Sequence, residues 1–292
     1  MSGTVTEVGS KVTGFVVGQN VVVNPALNDL HYGLPSCSVC STGKYNLCPK
    51  TSYYGLSADG GGLADEIVVK SVACIPLPDG VPLDVGALAE PLAVAWHCIR
   101  TAGFQKGQTA LVLGAGPIGL ALLLLLKVWG AKAVVVSEVA SVRRELANDF
   151  GADAVINPLE GSILDLVASF SSEGADVVFD AIGLQSTLDT ALKAVRPAGT
   201  IFNVAIHEKP LLLNLNDISI RETKLLGGIC YTREDFDGVL GVLASKSIPA
   251  ERLITSIVPL SRAVEGGFLE LINNKAKHVK ILIQPDSRAS RL

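Results

Sequence analysis

The sequence runs to 292 residues, 49% of them hydrophobic and 18% charged, with a net charge of −4. That length favours two domains, and so apolar a chain has ample core material and no long solvated tail. The slight negative balance, with no basic stripe interleaved with aromatics, argues against a nucleic-acid partner.

The first residues, Met1-Ser2-Gly3-Thr4-Val5-Thr6-Glu7, lack the basic start and apolar centre of a secretory signal. Residues 118–126 are very apolar, but Lys127 ends the run, which is too short to cross a bilayer. A soluble, cytoplasmic protein is expected. Its six cysteines then read as reduced thiols or metal ligands rather than disulfides.

In chain order, residues 4–9, 16–23 and 65–69 are short β-type runs punctuated by Gly, Asn and Ser, as in a small antiparallel barrel. Residues 24–62 hold many turn formers and read as a long excursion from it. Residues 84–100 predict a helix interrupted by Pro91. Strands are then expected at 109–113, 133–137, 154–156, 176–180, 200–204 and 224–228. Helices fit between them, for example at 117–129, 141–150, 186–195 and 233–245. Such alternation predicts an α/β fold with a doubly wound parallel sheet. The tail adds a strand at 254–258, a helix near 261–274 and a last strand at 279–283.

The most informative stretch is Leu-Val-Leu-Gly-Ala-Gly-Pro-Ile-Gly-Leu at 111–120, followed by a leucine-rich helix and Val-Val-Val-Ser-Glu. Gly114 allows a tight turn, Gly116 lets the backbone approach a pyrophosphate, and Gly119 permits close packing of helix on strand. The helix N-terminus, at Pro117 and Ile118, supplies N–H groups for phosphates. Glu138 falls 19 residues after Gly119, where a carboxylate can bind both hydroxyls of an adenosine ribose. This is a dinucleotide site by its spacing, and a carboxylate there repels a 2′-phosphate, which favours NAD over NADP.

Beyond these residues the chain resembles the zinc-containing medium-chain alcohol and polyol dehydrogenases, most closely the 2,3-butanediol and sorbitol dehydrogenase branch and its fungal members. The markers are Gly3 to Gly9, Val12 through Phe15 and Gly18, the run Gly60-Gly61-Gly62-Leu63-Ala64-Asp65-Glu66, the run from Ala89-Glu90-Pro91 to Trp96-His97, and the glycine turn. The resemblance implies a GroES-like catalytic domain built from residues 1–94 and a return segment 246–292. A Rossmann NAD-binding domain at 95–245 lies between them. It also implies hydride transfer between NAD(H) and a secondary alcohol or vicinal diol, with zinc holding the alkoxide.

In that family a Gly-His-Glu triplet comes just before the position of Ser2, and a Cys ligand several dozen residues earlier. The present sequence begins at Met1, so of the expected zinc neighbourhood only Glu90 remains. One carboxylate does not hold a catalytic zinc, which wants three protein ligands and an open position. The expectation is a weak or inactive dehydrogenase. A mis-set start, a truncated isoform and a paralogue reduced to cofactor binding are the competing explanations.

The resemblance assigns further residues. Glu90 takes the catalytic, metal-proximal role, and Arg143 covers the adenosine edge, with Arg144 a solvated helix residue. Val204, Ala205 and Ile206, with Ile229 and Cys230, approach the nicotinamide. Tyr231 stands where sorbitol-type relatives often carry an arginine, which points to a small diol. His97 reads as an ordinary core or helix-surface histidine.

Cys37, Cys40 and Cys48 match the last three positions of the family's four-cysteine structural zinc lobe, and position 34, the first, is Leu34. Three thiolates leave the site open unless another group joins, and His31 is nearby. A relic loop with free thiols is preferred over an altered zinc lobe.

A small-molecule alcohol or ketone is the expected substrate, and a homodimer or homotetramer the expected assembly, with 225–231 as a candidate interface. The alternatives are a zinc-independent NAD(P)H reductase and a nucleotide-binding pseudoenzyme.

Overall fold

A computed structural model describes residues 1–286 of the chain, so 287–292 of the expected return segment lie outside the described residues. Its contacts divide into two compact units, one of residues 94–229 and the other of 1–93 with 230–292. No described helix is long and apolar enough to cross a membrane.

The first unit opens with β1 (Ser2–Thr4), β2 (Asn20–Val23), β3 (Ala26–Leu27), β4 (Ser52–Tyr53) and β5 (Cys74–Pro76). β1, β2 and β5 form one antiparallel sheet, and β3 pairs with β4. Val21, Val22 and Val23 of β2 are all buried, so this strand anchors the unit's core. The expected strand at 65–69 does not form. That run is irregular, with Val68 94% exposed, because no neighbouring strand offers its backbone a ladder. Short helix α1 (Leu83–Gly86) and α2 (Ala89–Thr101) follow. The expected helix over 84–100 therefore breaks at 87–88 rather than at Pro91. Pro91 sits in the first turn of α2, where an N–H has no intrahelical partner to lose.

The second unit carries β6 (Thr109–Leu113), α3 (Pro117–Val128), β7 (Ala133–Ser137), α4 (Ser141–Asp149), β8 (Ala154–Ile156), α5 (Ile163–Phe170), β9 (Ala175–Asp180), α6 (Gln185–Ala194), β10 (Val195–Asn203), α7 (Asn216–Ser219) and β11 (Lys224–Gly227). The strands make one parallel sheet of order β11-β10-β9-β6-β7-β8. β6 and β7 are buried at every position, as strands covered on both faces must be. On one face Leu111, Leu113, Val135, Val178 and Ile201 pack with Val167 of α5 and Ala191 and Ala194 of α6. In α3, Leu120 and Leu122 through Leu126 are all buried, so the apolar run at 118–126 belongs to a core helix.

The chain builds outward from β6 to β8, then returns to the other side of β6 with β9. The ends of β6 and β9 are therefore the sheet's switch point, where the crevice of such a fold opens.

The first unit resumes with α8 (Arg233–Ala244), β12 (Ile254–Pro259), a π-helical turn at Ala263–Leu269 running into α9 (Glu270–Asn273), and β13 (Lys280–Gln284) parallel to β12. α8 begins on a capping box in which Asp235, fully buried, accepts hydrogen bonds from the Thr232 N–H at 2.7 Å and hydroxyl at 2.9 Å.

Candidate cofactor cradle and metal cluster

The glycine turn lies at the switch point, and each glycine there has its own reason. Gly114 has φ +98°, in the left-handed region, and a Cβ on it would meet Ile182 at 2.7 Å. A Cβ on Gly119 would lie 1.9 Å from the Gly114 carbonyl oxygen, so helix and turn close together only over glycine. Gly116 differs. Its backbone is ordinary (φ −70°), and nothing lies within 4 Å of where its Cβ would sit. Neither conformation nor packing asks for glycine at 116. Gly116 is also the N-cap of α3 and has no side-chain cap, with Pro117 at N1 and Ile118 next, so the first-turn N–H groups face the same space.

Glu138, 6% exposed, follows β7. Its carboxylate accepts from the Ala115 N–H and the Ala140 N–H, each at 2.8 Å, which ties the glycine turn to the end of the neighbouring strand. The oxygens are thus oriented before any ligand arrives, and each retains a lone pair. Arg143 is half-buried on α4. Its neighbour Arg144 is not the solvated residue expected. It is half-buried, and its Nη1 donates to the Glu138 carbonyl at 3.2 Å and the Val139 carbonyl at 2.5 Å, satisfying acceptors that the strand end leaves open.

Across the switch point, buried Asp180 accepts at Oδ1 from the N–H groups of Ile182 and Gly183, both at 3.0 Å, and at Oδ2 from the Thr187 hydroxyl at 2.8 Å. Its carbonyl takes the Val204 and Ala205 N–H groups at 2.9 and 3.2 Å. Val204 and Ala205 are therefore fixed at the ends of β9 and β10, whereas Ile206 beyond them is 88% exposed. Ile229 is half exposed at the end of the same unit. His97 is buried, as an ordinary core histidine is.

In the other unit, Cys230 has φ +56°, a strained conformation for a side chain with a Cβ. Its sulfur lies 3.1 Å from the Tyr53 hydroxyl. Burial raises the Tyr53 hydroxyl above the ordinary tyrosine range, and Cys230 raises it further. Tyr231, 3% exposed and packed edge-on against Phe236, is raised by burial and by the charge of Glu90 beside it. Glu90, in the first turn of α2, thus has Tyr231 and Cys230 for neighbours. Among the described residues Glu90 stands in no group of three or more His, Cys, Asp or Glu donors, so they do not by themselves fit a catalytic zinc.

Four donors gather elsewhere in this unit. The ligand atoms of Cys37, Cys40, Cys48 and Asp29 all lie within 4.8 Å of one another. Cys40, Cys48 and Asp29 are buried. The Cys37 N–H donates to Asp29 Oδ2 at 2.7 Å, and this bond, helped by the thiols, holds the Asp29 carboxyl down at about 2. Burial pushes the Cys40 thiol up to about 12. Bound zinc would offset that cost by taking the thiolate. The sequence favours a relic loop with free thiols over an altered zinc lobe in which His31 replaces the ligand missing at Leu34. The structure gathers the three sulfurs instead, which a relic loop does not require. His31 and Leu34 stay outside the group, Leu34 on the surface at 39% exposure.

With this geometry in place, two family models match: the alcohol dehydrogenase GroES-like domain over residues 1–79 and the zinc-binding dehydrogenase over 117–245. (R,R)-butanediol dehydrogenase of Saccharomyces cerevisiae is 40% identical over 304 residues, spanning 98% of this chain and 79% of that protein. The chain belongs to the zinc-binding alcohol dehydrogenase family. Within it, the crystal structure of 2R,3R-butanediol dehydrogenase from Bacillus subtilis superposes with a TM-score of 0.89 at 32% identity, over 97% of this chain and 79% of that one. A short chain alcohol dehydrogenase from Escherichia coli CFT073, complexed with NADH, superposes with a TM-score of 0.88 at 26% identity, over 97% and 82%. The zinc-binding dehydrogenase match begins at residue 117, within the glycine turn at 114–119.

Asp29 and Arg144 escaped sequence reasoning. Asp29 lies eight residues before Cys37, outside any ligand spacing, and only the turn at 28–34 returns it to the cysteines. Arg144 is one of two adjacent arginines that helical periodicity alone does not rank.

Proposed function

We propose that this oxidoreductase interconverts a vicinal diol or secondary alcohol and a ketone, with NAD(H) as hydride carrier. The observation that carries the reaction is its 40% identity to (R,R)-butanediol dehydrogenase across 98% of the chain. The cradle supports the cofactor. The turn around Gly114, Gly116 and Gly119 and the first turn of α3 at Pro117 and Ile118 take the pyrophosphate, and Glu138 takes the ribose hydroxyls. Its carboxylate disfavours a 2′-phosphate, hence NAD over NADP. Arg143 covers the adenosine edge, while Val204, Ala205, Ile206, Ile229 and Cys230 approach the nicotinamide. NAD supplies hydride acceptance, and the protein's part is orientation.

Glu90 is the chain's own carboxylate at the reacting end, with the buried Tyr231 hydroxyl beside it as a polar neighbour. Tyr231 stands where sorbitol-type relatives often carry an arginine, which favours a small diol over a sugar alcohol. Among the described residues Glu90 is the single candidate donor toward the family's catalytic zinc, and one carboxylate does not by itself hold that ion. Cys37, Cys40 and Cys48 belong to a structural zinc lobe.

The protein is also proposed to act as a homo-oligomer. β11 is the sheet's edge, its four residues are all exposed, and Leu225 and Leu226 present apolar surface there.

Titration of NADH and NADPH by protein fluorescence, followed by turnover of butanediol stereoisomers, acetoin and sorbitol read at the nicotinamide absorbance, tests the reading. NADH binding with diol turnover exceeding sorbitol turnover is the expected result. Tighter binding of NADPH, or turnover of sorbitol alone, overturns it.

A further inference from the structure

We infer that Asp29 is the fourth ligand of the cysteine cluster, so that the lobe holds its zinc through three thiolates and one carboxylate oxygen. The inference rests on the proposed structural zinc lobe and says which residue closes it.

Three observations carry it. First, Asp29 is 1% exposed, and its Oδ1 has no hydrogen-bond partner although it lies within 4.8 Å of the Cys37, Cys40 and Cys48 sulfurs. The thiols that face it are weak donors, and a cation at the centre of those four atoms would give the buried oxygen a stronger partner. Second, the carboxylate is already aimed. Oδ2 is held by the Cys37 N–H at 2.7 Å, and the Asp29 carbonyl takes the Tyr32 and Leu34 N–H groups at 3.1 and 3.0 Å. The turn is thereby fixed around the residue, with Oδ1 left for the cluster. A tetrahedral zinc with Zn–S bonds of about 2.3 Å sets ligand separations of about 3.8 Å, a small contraction from this arrangement.

Third, the rival donor lies outside the group. His31 accepts the Asn28 N–H at Nδ1 at 3.0 Å, and its buried, unpartnered Nε2 is not among the gathered ligand atoms. The charge also agrees. Leu34 contributes no anion at the position the cysteine spacing picks, and Asp29 restores the fourth negative ligand, whereas a neutral imidazole would not. An Asp-x7-Cys-x2-Cys-x7-Cys order is thus a complete donor set for a divalent ion that accepts both sulfur and oxygen.

The test uses the full chain loaded with Zn2+, and with Cd2+ and Co2+ as spectroscopic probes. Wild type should hold zinc that Cys40→Ser releases. Asp29→Ala should weaken that zinc by more than about tenfold in chelator competition, and His31→Ala should leave it unchanged. Asp29→Cys guards against a fold lost in the alanine variant. It should retain the metal, strengthen the thiolate-to-cobalt absorption and move the cadmium resonance towards an all-sulfur position.

Zinc lost on Cys40→Ser but held with full affinity by Asp29→Ala overturns Asp29 while leaving the zinc lobe standing. So does zinc lost on His31→Ala, or a wild-type cadmium resonance already all-sulfur. A wild type whose zinc content does not respond to Cys40→Ser removes the lobe and the inference together.

Discussion

The glycine turn and the cysteine lobe both gather polar groups in a small space, and they are assembled in opposite ways. The turn is made of backbone, backed by fully buried parallel strands and locked by Glu138 through two amide hydrogen bonds. It is complete without a ligand. The lobe at 28–50 has only two short 3-10 turns of regular structure and is drawn together by side chains from Asp29 to Cys48. Burial opposes ionisation of its Cys40 thiol, a cost that a bound cation would offset. A site made of secondary structure is stable first and binds second, whereas one made of buried donors needs its ligand in order to be stable.

The largest effect that would break this contrast is at Gly119. Gly119→Val drives a side chain into the Gly114 carbonyl, so helix α3 and β6 must part. We expect a loss of stability at or beyond about 3 kcal/mol and poor recovery of folded protein, read by thermal melting. A stable variant that binds NADH would refute the preformed cradle. Next comes metal removal. Chelation should expose residues 28–50 to limited proteolysis while leaving NADH fluorescence intact, and equal protection with and without metal would show that the lobe stands unaided.

A finer discrimination is Gly116→Val. Because nothing lies near its Cβ, melting should shift by no more than about 0.5 kcal/mol. NADH affinity should nonetheless fall at least about tenfold, or about 1.4 kcal/mol. Unchanged affinity would remove the explanation given for that glycine.

The smallest expected effect lies outside both sites. His278 Nε2 at 3.0 Å, then the Asn274 amide donating at 3.0 Å, hold the Glu270 carboxyl below its ordinary value of 4.5. Unfolded chains protonate first, so this contribution is complete above pH 4.5 and fades as pH falls through the lower folded value. Glu270→Gln should therefore flatten the acid limb of the stability profile slightly, and an unchanged limb would discount the pair.

Much of the second unit was legible in advance because its signals are local. Continuous β-branched runs bounded by turn residues put strands at 109–113 and 133–137, where they are found, and the glycine turn could be read from spacing alone. The first unit was less legible. Residues 65–69 carry strand-forming side chains, yet a strand exists only where a neighbour completes its hydrogen bonds. The same limit hid the fourth donor of the lobe, since Asp29 reaches the cysteines through a turn and not through a repeat.

By itself the sequence determined the doubly wound sheet and the position of the glycine turn, because side-chain periodicity and glycine spacing act over a few residues and are written along the chain. Only the tertiary structure decided which polar groups meet: Asp29 with three thiols, Arg144 with the carbonyls of Glu138 and Val139, Tyr231 with Glu90. Those meetings follow from burial and from the obligation of each buried polar atom to find a partner. That obligation is met in three dimensions, and no spacing along the chain records it.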